Sequence, residues 1–428
     1  MRAMKDSGVE WIGEIPEEWT TAKFQYSAEV DYGFPADSDY FNSDEEGVPL
    51  IRIRDITSGE IATWYSGSYP RNLIVHEGDI LIGMDGDFGL RTWHGPNALL
   101  NQRCCRIRGG TLDERYLFYC MEFPLKLING LTVSTTVKHL LADDIATIEL
   151  PVPFHEEQRR IGETLDGACT EIDAAIVTLE KQLSALERYR ASVIHEAVTR
   201  GLDPSVPTKP SGVEWIGEIP IHWQAERVAY HCELESGHTP SRDHPEWWKD
   251  DECVIPWVTT GDIHRFRNGE ITVIDDTEEH VSKVGLNHSS ARILPAGTVA
   301  LSRTASVGFS IIMGCDMASS QDFADWVPGH DVNSKYLLYV FRSMTMLFEQ
   351  LKIGSTHKTI YMHVLKTLKM PIPPLDEQKR IADYLDSRIA AIDAILDTKR
   401  KQLDILKRRR QSLIYEYVTG KRRVGEGD

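Results

Sequence analysis

The sequence has no long apolar run. Nothing approaches the ~18 consecutive apolar residues that a membrane-crossing helix needs. The opening MRAMKDSGVE holds no apolar signal core, so export is not expected either. Cysteine is sparse and unpatterned: seven in 428 residues, Cys104 and Cys105 adjacent and the rest scattered, with no CxxC pair. That set fits neither a disulfide framework nor a zinc site, and it points to a reducing cytoplasm. Signatures of catalysis are missing too. There is no GxxxxGK[ST] phosphate loop, since Gly420-Lys421 continues with Arg422 and lacks the upstream glycine. No HExxH or spaced Cys/His cluster suggests a metal, and no GxSxG elbow suggests a nucleophile. The glycine-rich stretch Gly83–Gly89 lacks the GxGxxG order, and reads as a turn with exposed carboxylates. Asp397-Thr398-Lys399, a nuclease-like fragment, falls inside a helical run and reads as a solvated face.

What is present is a repeat. Ser7–Trp19 (SGVEWIGEIPEEW) and Ser211–Trp223 (SGVEWIGEIPIHW) match at 11 of 13 positions, at an offset of 204. Pro151–Thr199 and Pro371–Thr419 match at 23 of 49 positions without a gap, at an offset of 220. The chain is therefore two tandem units of about 200 residues, the second with about 16 extra residues inside it. The interiors are far less alike. Pro49–Ile56 (PLIRIRDI) aligns with Pro256–Ile263 (PWVTTGDI), Gly78–Ile82 with Gly297–Leu301, Gln102 with Gln321 and Lys138 with Lys358. A constant frame around a variable filling suggests one scaffold holding two recognition elements of different specificity; neutral drift is the alternative.

With 41% apolar and 26% charged residues the chain is globular. The interiors read as mixed strand and loop: IRIRDI, DILIGM, CCRIRG, ARILPAGTVALSR and GFSIIMG are short β-type runs, while DERYLFYCMEF and NSKYLLYVFRSM have helical spacing. Each repeated ending is a helix of about 44 residues, ~65 Å long, with a heptad-like stripe: Leu165, Ile172, Leu179, Leu183, Leu186 and Val193 in one, Leu385, Ile389, Ile392, Leu396, Leu403 and Leu406 in the other. Prolines precede each helix, Asp376 is placed to cap the second, and Gly201 and Gly420 stop them. A lone amphipathic helix of that length buries nothing, so each should pair with its copy. Antiparallel pairing is expected because it relates the tandem units by a two-fold axis. The alternatives are packing of each helix on its own domain and homodimerisation. Trp11, Trp19, Trp215 and Trp223 lie in the constant frame and read as scaffold core or partner contacts. His195 reads as a helix-surface histidine, and Lys407–Arg410 as a phosphate contact, a solvated face or a partner contact.

These features resemble the specificity subunit of a type I restriction-modification system. The resemblance rests on the SGVEWIGEIPxxW opener and the PxPxxEQxRI helix entry, each occurring twice, and on SGHTPSR, PWVTTGDI, GTVALSR, SSQ and GSTHK in the second interior. The first interior departs from the pattern, with PLIRIRDI for PWVTTGDI and GFP for GHTP. The resemblance covers essentially the whole chain. It implies an α+β fold with two target recognition domains, at 1–150 and 206–370, and two long helices, at 151–205 and 371–428, forming an antiparallel coiled coil with pseudo-two-fold symmetry. Each domain would read one half of a bipartite, asymmetric target in double-stranded DNA, and the coiled coil would set the gap. The chain would have no catalysis and no cofactor of its own. Two methyltransferase subunits using S-adenosylmethionine, and two motor-nuclease subunits using ATP and Mg2+, would act on the DNA. A non-DNA scaffold carrying two protein-binding domains is the other reading; a self-sufficient enzyme is a third.

Base readout calls for Arg, Asn, Gln and hydroxyl side chains at groove edges. By side-chain type and by the family's interior motifs, the candidates in the first unit are Arg52, Arg54, Arg91, Asn101, Gln102, Arg103 and Lys138. In the second they are His238, Thr239, Arg242, Thr259, Thr260, Arg303, Thr304, Ser320, Gln321, His357 and Lys358. Each competes with an ordinary surface role; Arg54, for one, has Asp55 and Glu60 nearby. Charge opposes a strong grip on phosphate. The chain carries 47 basic and 65 acidic residues, net −18, and the segment 1–150 alone carries 13 and 24. The isolated chain is therefore expected to bind duplex DNA weakly. Nanomolar, salt-resistant binding in a titration of the purified chain would contradict this.

Overall fold

The computed structural model describes residues 2–131, 138–249, 251–354 and 358–425. The chain divides into two compact units, Met1–Leu179 with Gln402–Asp428, and Glu180–Lys401. In the first, β1 (Thr20–Lys23) follows the opener, then β2 (Ala28–Tyr32), β3 (Val48–Ile51), a short helix α1 (Ile53–Ser58), β4 (Ile80–Gly83), β5 (Leu90–Thr92), β6 (Ala98–Leu100), β7 (Cys104–Gly109), α2 (Glu114–Leu131) and β8 (Glu149–Val152). The main sheet has the order β5-β4-β7-β2. Beside it β6 pairs with β3 in parallel, and β8 returns to pair with β1, closing the interior at its two ends. The second unit repeats this with β9 (Gln224–Arg227), β10 (Cys232–Ser236), β11 (Cys253–Val258), β12 (Val273–Ile274), β13 (Val299–Ser302), β14 (Ser310–Met313), β15 (Ala318–Ser319), β16 (Phe323–Pro328), α3 (Ser334–Ser343) and β17 (Lys369–Ile372). Its main sheet runs β10-β16-β13-β14-β12, with β12 added beyond β14, and β17 closes on β9.

The long helices span His155–Arg200 and Leu375–Val418. Both end on a glycine of positive φ, Gly201 at 73° and Gly420 at 71°, which frees the last carbonyls to be capped without a Cβ clash. Asp376 lies inside the first turn rather than at the cap, because the helix already begins at Leu375; its charge meets the N-terminal dipole instead. Within each unit the helical segments run antiparallel. In the first, Arg410 meets Asp173 at 2.8 Å and Arg160 donates to the carbonyl of Gly425 at 2.7 Å. In the second, Lys399 donates to Gln182 at 2.7 Å and Arg190 meets Asp393 at 2.8 Å. Among the described residues no helix is long and apolar enough to cross a membrane.

The repeated motifs turn out to be one joint. The indole of Trp19 donates to Glu157 at 2.9 Å, and that of Trp223 to Glu377 at 2.8 Å. The next residue, a buried glutamine, faces the other way. Gln158 accepts from the backbone N–H of Asp113 at 2.8 Å and Gln378 from that of Asn333 at 2.9 Å, bracing the start of α2 and α3. Above it the hydroxyl of Tyr116 lies 3.1 Å from the carbonyls of both Pro151 and Val418. Tyr336 sits likewise 3.0 Å from Pro371 and 3.2 Å from Val198. Trp19 and Trp223 are fully buried. Trp11 stacks on Phe123 at 5.5 Å, and Trp215 packs on the second core.

Three local expectations change. IRIRDI is not a strand throughout: β3 stops at Ile51, because the Asp55 carboxylate accepts the N–H of Arg52 at 2.8 Å and starts α1. His195 is half-buried against Trp215, and burial pulls its pKa down. Arg410 is not a phosphate contact: it is drawn into the first core, chelated by both oxygens of Glu122 at 2.8 and 2.7 Å as well as by Asp173. Arg410→Ala should destabilise the first unit by roughly 1.5–3 kcal/mol, since it removes the more buried of the two cations that pair with the Glu122 carboxylate and leaves it Lys126 at 2.7 Å. Arg410→Met combined with Glu122→Met should recover most of the loss. Chemical denaturation of the two variants beside the parent measures both.

Candidate nucleic-acid interface

The most strongly repeated feature outside the frame is a loop. Gly83–Gly89 joins β4 to β5, and Ser302–Gly308 joins β13 to β14. The N–H of Met84 donates to Arg103 at 2.9 Å, and that of Arg303 to Asp322 at 2.8 Å. Gly86 donates to the carbonyl of Lys138 at 2.9 Å, and Ala305 to that of Lys358 at 3.0 Å. Leu140 donates to Met84 at 2.7 Å, and Ile360 to Arg303 at 2.8 Å. Both loops cross the left-handed region at the same place, Gly86 at φ 76° and Ala305 at 59°. A non-glycine residue held there stores strain that the surrounding bonds must hold.

The floor beneath is also shared. Phe34 donates to Leu100 at 2.7 Å and His238 to Ser319 at 3.0 Å; Asn101 donates to Ile51 at 3.1 Å and Ser320 to Val258 at 2.9 Å. Gly33 and Gly237 pass so close that a Cβ would lie 1.9 Å from the Asn101 carbonyl and 2.3 Å from that of Ser319. Only glycine fits. Buried Asp55 and Asp262 match as well, each accepting the N–H three residues back, from Arg52 and Thr259. By these bonds Arg52 corresponds to Thr259, Met84 to Arg303, Asp85 to Thr304, Gln102 to Gln321, Arg103 to Asp322, Lys138 to Lys358 and His139 to Thr359.

The first loop gathers most of its candidate side chains. Arg52 is exposed over the Phe41 ring. Arg54 donates to Thr63 at 2.9 Å and touches Asp55 at 3.4 Å. Gln102 is exposed, and Arg103 faces Asp85 at 3.8 Å. Arg91 projects from β5 toward Gly59, at the end of α1. Lys138 is held by the carbonyl of Asn129 at 2.5 Å. Asn101 is buried and accepts the N–H of Arg103, so it shapes the turn from within. In the second loop, His238, Thr260, Gln321 and Lys358 are exposed. Thr239 donates to Gln321 at 2.5 Å, and Thr304 meets Thr359 at 3.5 Å. Thr259 caps its turn by accepting from Gly261, and Ser320 accepts from Asp322; both are buried. Arg303 is half-buried, its Nε without a hydrogen-bond partner among the described residues, and burial pulls its pKa down. Arg242 lies in the stretch between β10 and β11, 3.7 Å over Trp248 and paired with Glu279. His357 lies outside the described residues.

Residues 16–188 and 220–404 match the family described as type I restriction modification DNA specificity domain. The chain belongs to this family. It is similar to the Escherichia coli type I restriction enzyme EcoBI specificity subunit, at 36% identity over 196 residues, 45% of this chain and 41% of that relative. The chain thus aligns with less than half of that relative's length. It is also similar to the Methanocaldococcus jannaschii type I restriction enzyme MjaVIII specificity subunit, at 24% identity over 88% of this chain and 86% of the other. Among solved structures, a chain from a study of complex assembly and conformational transition in the type I R-M system shares the fold. Its TM-score is 0.66 at 17% identity, over 95% of this chain and 99% of that one.

Reasoning from the sequence missed Asp85, His139 and Asp322 at the loop, and Asp325 beneath it. The offset that pairs Gly78–Ile82 with Gly297–Leu301, carried seven residues further, points to the first of these. Asp325 occupies the place of Arg106 in the first specificity domain, as their strand partners Glu235 and Asp31 show. Arg106 is satisfied there by Asp31 at 2.6 Å, Asp79 at 2.9 Å and two carbonyls. Asp325 is fully buried, with one oxygen accepting from Ser319 and the other without a hydrogen-bond partner among the described residues. Burial pushes its pKa up to about 7. Folding therefore favours its protonated form, and this contribution to stability declines as pH rises from about 4 to about 7. Asp325→Asn should remove that decline, stabilising the chain relative to the parent more at pH 8 than at pH 5. The gain should approach roughly 1.4 kcal/mol for each pH unit crossed inside that window. Equal differences in melting temperature at the two pH values would contradict this.

Proposed function

We propose that the chain is the non-catalytic DNA-reading component of a type I restriction-modification assembly, working in the cytoplasm. Each specificity domain reads one half of a bipartite target through its loop. The observation that carries this is the pair of loops: one backbone, hydrogen-bonded alike, presenting Met84, Asp85 and Arg103 in one unit and Arg303, Thr304 and Asp322 in the other. A duplicated frame with exchanged side chains suits recognition of two different half-sites, about one helical turn or ~34 Å apart when read from one face. Methylation of adenine from S-adenosylmethionine, and cleavage driven by ATP with Mg2+, fall to two methyltransferase and two motor-nuclease partners. The net charge of −18 agrees with partners supplying much of the grip on phosphate.

Replacing residues 20–150 with the corresponding segment of another specificity chain should change one half of the methylated-adenine motif and leave the other half as it was. Genome-wide mapping of methylated adenine reads this directly. An unchanged motif with altered protein associations would favour a protein-binding scaffold.

A further inference from the structure

At the tip of the first loop, the Asp85 carboxylate lies between two exposed cationic or donor side chains. His139 Nδ1 is 2.6 Å from its Oδ1, and Arg103 Nε is 3.8 Å from its Oδ2. Asp85 itself is only 19% exposed, against 50% for His139 and 57% for Arg103. These residues meet because backbone bonds bring three distant stretches together: Asp85 bridges to His139, and Met84 takes the carbonyl of Arg103. The second loop has the same bridge, Thr304 to Thr359. There, however, the facing side chains are two hydroxyls 3.5 Å apart, with Asp322 in the place of Arg103. Since the backbones agree, what the two loops select must differ through these side chains.

We propose that Asp85 is a specificity-determining positioning residue of the first domain: it aims Arg103 and His139 at base edges, and so decides which bases that half-site admits. The proposal rests on the DNA-reading function given above. An unrestrained arginine on a surface sweeps through many acceptors. One paired by charge alone with a carboxylate 3.8 Å from its Nε, beyond hydrogen-bond reach, is biased to present its N–H groups in one direction, which favours paired donation to guanine O6 and N7. The imidazole of His139, tethered at Nδ1, is left with Nε2 facing outward. Asp85 is the shared anchor of both.

The test is the methylated-adenine motif of cells carrying the complete system with Asp85→Asn, a near-isosteric change that keeps the carbonyl acceptor and removes the charge. Discrimination should fall about tenfold or more at one or two positions of one half-site, with the other half-site unchanged. A merely structural role would lower methylation at all sites without altering the motif, and that result, or an unchanged motif at full methylation, overturns the proposal. If the variant chain does not accumulate, Asp85→Thr with His139→Thr carries the same test, because it copies the pair that the second loop already holds on this backbone. A parental chain whose removal leaves the motif untouched would instead overturn the DNA-reading function itself.

Discussion

The structure depends on a hydrogen bond made twice, from a buried tryptophan N–H to the first-turn glutamate of a long helix. Trp19–Glu157 and Trp223–Glu377 fix where the opener of each unit meets its helix. A fully buried indole brings a large apolar area to that joint and leaves one donor that must be satisfied. The glutamate does so while its charge sits at the positive end of the helix, and a further side chain shares it in each unit, the Arg2 guanidinium in one and the His222 imidazole in the other. The adjoining glutamine turns to the opposite side and braces the next helix of the same unit. Two neighbouring residues thus tie three elements together. That explains why the opener and the EQ motif recur as a pair although the bonded residues are 138 positions apart in one unit and 154 in the other.

On this frame the loops are free to differ. Their geometry is set by backbone bonds, by a glycine passing under a carbonyl and by a buried aspartate capping a turn, none of which specifies the outward side chains. The interior below is permissive in the same way. One strand position holds Arg106 neutralised by two aspartates in the first unit and a buried Asp325 that accepts from Ser319 in the second. Even charge can be inverted under the loop so long as each solution satisfies or protonates its buried group.

Much of this was legible beforehand. The duplication, the two long helices with their glycine stops, the strand runs and the tryptophans as core all follow from spacing and residue type, which act locally. Gln102 with Gln321 and Lys138 with Lys358 were paired correctly from faint alignment, because the glycines around them hold the register. The misreadings have a common cause. Arg410 looked like one of a run of exposed cations, yet it is chelated by Glu122, far away in sequence. IRIRDI looked like a strand because its apolar alternation hid a capping aspartate. Asn101, Thr259 and Ser320 have the side chains of base readers but spend them inside the turn.

The sequence by itself determined that there are two copies of one frame, bounded by amphipathic helices and filled differently. Those are properties of period and repetition, carried by neighbours along the chain. Only the tertiary structure decided which side chains share a loop. Asp85, Arg103 and His139 belong to three separate segments, and the backbone bonds that join them connect residues between 19 and 56 positions apart. No local pattern encodes such a meeting; it exists only once the sheet has closed and the strands have brought their ends together.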